Sequence, residues 1–177
     1  GAAIGPDGAI YLCNNGGCFT PIERNGRFQP GHYDPQRYLG GKIQRVDLRD
    51  GSVTDLYTEC EGRLLRAPND LVMDGHGGLW FPDHGIRDLD ARTADLTAIY
   101  HAKCDGSEIT EAIFPVAGPN GIGLSPTGTT LYWAETHTGR VFERELEEPG
   151  RLAAGGRTSV LHGLSGHQLL DSLAVDH

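Results

Sequence analysis

The sequence predicts an all-β chain forming part of a β-propeller, and three observations carry that prediction. Short runs of strand type follow one another between Gly, Pro, Asn and Asp turn signals, and no long 3.6-residue periodicity competes with them. Two motifs return at a fixed interval: a short polar residue opening an apolar segment, and an aromatic strand after a Gly-rich turn. Asn69, Asn120 and Asp171 stand 51 residues apart, just ahead of Leu71 to Met73, Ile122 to Leu124 and Leu173 to Val175. About four strands per repeated unit is the signature of a propeller blade, whereas a sandwich gives no reason for two motifs to share one period.

The elements follow in order. GPDGAIYLCNN supplies the turn and aromatic strand of a first unit whose Asn-bearing stretch is expected ahead of residue 1. That unit is long: Asn14 to Asp83 spans 69 residues, against 52 from Asp83 to Glu135. The excess of 17 is assigned to FTPIERNGRFQPGHYDPQRYLGG, read as a long surface loop. KIQRVDLRDGSVTDLYTEC reads as a hairpin around Asp50-Gly51, and LTAIYHAKCDGSEITEAIF as another around Asp105-Gly106. The strands in LWFPD, LYWAE and VFERELEE belong to the second and third units, and LLDSLAVDH opens a further one. Residues 1–177 are therefore expected to be a single partial domain of about three and a half blades, with blades beyond both ends, because an open arc leaves sheets uncovered.

Composition narrows the function classes. A net charge of −9 without a Lys/Arg run argues against a nucleic-acid surface. No apolar stretch approaches the roughly 20 residues of a membrane helix, and GAAIGPDG has no leader-like basic and apolar regions. Cys13, Cys18, Cys60 and Cys104 lack paired CxxC spacing and are too scattered for a disulfide framework. Cys13 and Cys18 are close enough in sequence to bridge, but free thiols in a reducing, cytoplasmic setting are the preferred expectation.

In a blade the innermost strand and its neighbour are antiparallel, so the start of one and the end of the next share a face. Asn69 and Asp83, then Asn120 and Glu135, stand in that relation, and Asp171 repeats the first position. Each unit thus offers polar tips to one axis. Amide oxygens and carboxylates converging there suit a hard divalent cation such as Ca²⁺. Turn or strand-end capping accounts for each residue singly, but not for the shared period. His84 and His137 follow Asp83 and Glu135 and are candidates to line the same mouth and touch substrate. Arg66, three residues before Asn69, is a candidate to reach an anionic or carbonyl group. His76 falls in an opposite-face turn and is read as structural.

RAPNDLVMDGHGGLWFPDHG, GPNGIGLSPTGTTLYWAETHTGR and LLDSLAVD closely resemble the senescence-marker-protein/gluconolactonase/luciferin-regenerating-enzyme superfamily, over essentially the whole chain. The resemblance implies a six-bladed propeller with a divalent metal on its axis, most often Ca²⁺, with Zn²⁺, Mn²⁺ or Mg²⁺ as alternatives. It implies metal ligation by Asn120 and Asp171, with Asp171 also the catalytic carboxylate, as general base or nucleophile. It makes Asn69 a ligand or a substrate contact and Asp83 a ligand; Arg66, His84, Glu135 and His137 complete the substrate-binding set. The family's metal-binding glutamate lies in an N-terminal Glu-Gly-Pro segment that this chain does not contain, so the chain alone is expected to be inactive.

The leading functional reading is a metal-dependent hydrolase of the gluconolactonase type that opens a sugar lactone or related cyclic ester. The alternatives are a non-catalytic calcium-binding propeller scaffold and a protein-binding propeller. LYWAETHTG also resembles the YWTD propellers of lipoprotein receptors, although their blades run shorter.

Overall fold

The computed structural model describes residues 1–176, and the described residues form strands, turns and loops with no helix. Three large antiparallel sheets follow one another along the chain, with two-stranded ribbons between their strands. The first runs Ala2–Ile4, Ile10–Asn14, Lys42–Val46 and Val53–Tyr57, each strand pairing with the next. The second runs Val72–Met73, Gly78–Pro82, Thr97–Lys103 and Ile109–Val116. The third runs Pro119–Leu124, Thr130–Glu135, Arg140–Glu148 and Ser159–Gly163, with the short Arg151–Leu152 strand pairing on the far end of Arg140–Glu148. The hairpins expected at Asp50-Gly51 and Asp105-Gly106 are both present.

Packing explains why LWF shows no polar–apolar alternation. The second sheet is covered on both faces. Leu79, Phe81, Ala98 and Tyr100 pack towards the first sheet around Tyr11, Ile43 and Tyr57. Trp80 and Ile99 point the other way, into a cluster with Ile122, Leu131 and Trp133 of the third sheet. Successive side chains of one strand enter two different cores, so every position is apolar and buried.

The segments that share the 51-residue period meet in space. Residues 70–75, 122–126 and 173–175 line one cavity of about 440 Å³. Leu173 and Val175 lie against Gly121 and Gly123, so the fourth repeat is seated beside the third although it forms no strand. The first sheet is tied to the second by the Gly1 amino group on the Asn69 carbonyl, and by the Cys13 thiol on the Asp70 carbonyl at 3.2 Å.

Two details differ from the sequence reading or resolve it. The 17-residue excess is not a plain loop: it folds into a hairpin of Pro21–Arg24 and Arg27–Pro30. Its corner is Asn25-Gly26, with φ of 53° and 71°, the positive-φ pair that a tight two-residue turn requires. All four cysteines are free, Cys18, Cys60 and Cys104 being buried.

Candidate functional site

The site is built from two hairpins whose prolines each pair with a carboxylate residue. Pro119 pairs with Glu135, and one repeat earlier an isolated bridge joins Pro68 to Asp83, 51 and 52 residues before them. Asn69 and Asn120 therefore occupy equivalent places at the mouths of their inner strands. Asn120-Gly121 is not a hairpin corner, since both residues lie within the strand Pro119–Leu124. The register shifts between Pro119 and Ile122, a bulge that takes the Asn120 side chain out of the regular alternation.

Asn120 is 6% exposed, and its amide Nδ2 donates to Thr136 Oγ1 at 3.0 Å. Its Oδ1 is buried with no hydrogen-bond donor among the described residues. A buried carbonyl oxygen without a donor costs about 1–3 kcal/mol, so this atom is where a missing electrophile would sit. Gly121 brings the next repeat to it: its N–H donates to the Asp171 carbonyl at 3.0 Å. A Cβ on Gly121 would lie 2.4 Å from Leu173 N and 2.6 Å from Asp171 O, so only glycine admits the 171–173 segment so close. Asp171 is exposed, and neither its carboxylate nor the half-buried Asn69 amide is bonded to another described residue. Among the described residues no cluster of three or more His, Cys, Asp or Glu side chains forms a metal site, so a cation here would depend on the asparagine amides.

Asp83 lies at the same end but is already engaged. It is 1% exposed, and its carboxylate accepts the N–H groups of Arg66 (2.6 Å), Ala67 (2.7 Å) and Gly85 (3.0 Å). Burial pushes its carboxyl up, and the three amide bonds oppose that by favouring the charged form. Two oxygens holding three N–H groups clamp the 66–67 and 85 backbone, which leaves Asp83 limited acceptor capacity for a further partner. Glu135, 8% exposed, accepts Thr138 Oγ1 at 2.9 Å.

His84 and His137 meet edge to face with ring centroids 5.7 Å apart. Arg87 Nη1 reaches the His137 ring nitrogens at 3.1 and 3.3 Å. Burial, with Arg87 and His84 nearby, pushes the His137 imidazole below its usual value. Both rings approach Gly118, whose carbonyl accepts the Thr136 N–H at 3.0 Å, so they stand beside the Asn120–Thr136 pair. Arg66 does not join them. Its Nε binds Asp95 at 2.8 Å and its guanidinium lies 5.6 Å from the Tyr38 ring centre, beside a separate cavity of about 230 Å³. Sequence reasoning missed Thr136 and Arg87. A threonine beside Glu135 and an exposed arginine in a short hairpin carry no periodic signal.

The whole chain, residues 1–177, matches the family described as SMP-30/gluconolactonase/LRE-like region. The chain belongs to that family. Lactonase drp35 of Staphylococcus epidermidis is 26% identical over 176 residues, covering 96% of this chain and 45% of the relative. A gluconolactonase of Zymomonas mobilis is 27% identical over 138 residues, covering 75% of this chain and 32% of that protein. The solved structure of a gluconolactonase from Xanthomonas campestris superposes with a TM-score of 0.71 at 22% identity, over 99% of this chain and 52% of that one. A luciferin-regenerating enzyme superposes at 0.52 with 17% identity, over 82% of this chain and 46% of that one. These superpositions fit the all-β, propeller-type fold. The chain spans about half the length, or less, of the relatives it matches.

Proposed function

We propose that this family member contributes the metal-binding and catalytic edge of a lactone-hydrolysing site, and that the protein opens a sugar lactone or related cyclic ester. The observation that carries the reading is the buried, donor-less Oδ1 of Asn120 beside the backbone of Asp171. The lactonase and gluconolactonase names of the relatives support the substrate class. Asn120 and Asp171, with Asn69 at the equivalent place one repeat earlier, would hold the ion. An all-oxygen donor set favours Ca²⁺, with Mg²⁺, Mn²⁺ or Zn²⁺ as alternatives. When bound, such a cation polarises the ester carbonyl.

The chain's own residues supply the remaining roles. Thr136 fixes the Asn120 amide and so decides which atom faces the axis. The Asp171 carboxylate, without a partner among the described residues, either takes the proton of the attacking water or adds to the carbonyl itself. In the first case the hydroxide adds, the ring C–O bond breaks and the proton held by Asp171 passes to the ring oxygen. In the second the ring C–O bond breaks as an anhydride with Asp171 forms, solvent protonates the ring oxygen, and a water then hydrolyses the anhydride and frees the carboxylate. Asp83 keeps the strand ends in place, and His84, His137 and Glu135 border the space left for substrate.

The test is lactone hydrolysis by the protein with its natural termini, after chelation and after adding back Ca²⁺. Asp171→Ala is expected to abolish turnover. Asn120→Ala should raise the Ca²⁺ concentration for half-maximal rate by about tenfold, the worth of one coordinating group, and excess metal should restore part of the rate. A chelator-insensitive rate, or a fully active Asp171→Ala protein, would overturn the assignment. A single turnover in ¹⁸O-water labels Asp171 only if it adds to the carbonyl.

A further inference from the structure

A second cavity, of about 390 Å³, opens where the Asn25-Gly26 hairpin approaches the histidine pair. Its lining is out of character for the molecule. The chain carries a net charge of −9, yet Arg24, His32, His84, Arg87 and His137 line this cavity with no carboxylate among its described lining residues. Strand alternation produces the asymmetry on the hairpin side: Ile22 and Arg24 face the cavity, while Glu23 falls on the opposite face. Neither Arg24 nor Arg87 has an acidic partner among the described residues, and the Arg87 guanidinium rests on the His137 ring. The adjoining cavity of about 200 Å³ contains Asp95, but that carboxylate is bound by Arg66 and by the Ile86 N–H. Two uncompensated arginines in a recess of an acidic protein, with imidazole donors beside them, point to an anion.

We propose that this cavity binds an anionic substituent of the substrate, so that the lactone opened beside Asn120 and Asp171 carries a carboxylate or phosphoryl group. The inference rests on the lactonase reading for the substrate's other end. Geometry links the two: the histidines that wall the cavity border the space beside Gly118, where a Cβ would lie 3.1 Å from His137 and 3.7 Å from His84, two residues before Asn120. Arg87, held against His137, would present its remaining N–H groups to the anion, and Arg24 would close on it from the hairpin. Phosphoryl and carboxylate both accept such a fork of donors.

The experiment compares three probes on the protein with its natural termini: glucono-1,5-lactone, its 6-phosphate, and glucaro-1,4-lactone, which keeps a free carboxylate. At least one charged lactone is expected to exceed the neutral one in kcat/KM by about tenfold, the scale of one charge-assisted hydrogen bond. Arg24→Gln and Arg87→Gln should each lower that charged-to-neutral ratio several-fold, chiefly through KM, and added salt should lower it too. The preferred probe shows which anion the cavity suits. Calorimetry with glucitol 6-phosphate and glucitol, which have no ester to open, separates this inference from the reading on which it rests. Tighter binding of the phosphate, lost in Arg87→Gln, supports the anion site even if no lactone is hydrolysed. Equal turnover of charged and neutral lactones, indifferent to both arginine variants, overturns the anion site and leaves lactone hydrolysis standing.

Discussion

Asn-Gly occurs three times in this chain, and two of the pairs have opposite outcomes. At Asn25-Gly26 both residues take positive φ and turn a hairpin; at Asn120-Gly121 the pair sits inside a strand and bulges it. Local propensity is the same, so only the 51-residue recurrence distinguishes them in the sequence. That recurrence made Asn120 and Asp171 legible. It could not show that Gly121 is the contact between them, because a close approach is a property of two distant segments. Gly121→Ala is expected to push the 171–173 segment outward and to destabilise the protein by about 1–3 kcal/mol, the usual cost of overpacking. Lactone hydrolysis should fall further than stability explains, and an unchanged melting temperature and rate would show that the approach is dispensable. The backbone clamp at Asp83 was illegible for a related reason: a carboxylate at a repeat position does not reveal which N–H groups it will accept. Asp83→Asn replaces one acceptor oxygen with a donor facing those groups, and should lower stability by about 2–4 kcal/mol in thermal or denaturant unfolding.

Turns on the far side of the sheets are tied to third strands by side-chain hydrogen bonds to aspartate. In the first sheet Asp7 binds Arg45 at 2.6 Å; in the second Asp74 binds His101 at 2.9 Å, against Trp80. The sequence showed both aspartates only as turn formers, since their partners lie 38 and 27 residues away. Burial pushes the Asp74 carboxyl up, but His101 and the N–H groups of His76 and Gly78 prevail and hold it at about 2. A carboxylate depressed in the folded state stabilises above its unfolded value, near 4, and that contribution is lost as pH falls towards 2. Melting temperatures measured from pH 5 down to pH 2 should therefore fall less steeply for Asp74→Asn than for the parent, although the variant starts lower. Parallel curves would remove the pair from the acid response.

At the scale of the molecule, the period in the sequence is the period of the axis. Three short apolar segments at equal spacing line one cavity because each is the inner edge of its unit. The all-β class, the order of strands and the shared polar mouth follow from that spacing and from turn chemistry. The basic cavity under the hairpin does not, because it joins an insertion peculiar to one unit with loops of the next two, and a non-repeating feature leaves no period to read. The same architecture sets a gradient of stability. Strands Gly78–Pro82 and Thr97–Lys103 lie between two cores and are almost wholly buried, whereas Ser159–Gly163 is exposed throughout and the hairpin at Asn25-Gly26 is exposed over residues 23–29. Amides with both flanks packed can exchange only when the sheets separate; edge amides need only local opening. Hydrogen exchange should therefore be slowest for residues 79–81 and 98–102, close to the limit set by global unfolding. Residues 159–163 and 22–29 should exchange at least about 100-fold faster. If the hairpin were protected as strongly as the middle sheet, it would be a fixed wall of the cavity, and Arg24 could not close on an anion from its present position.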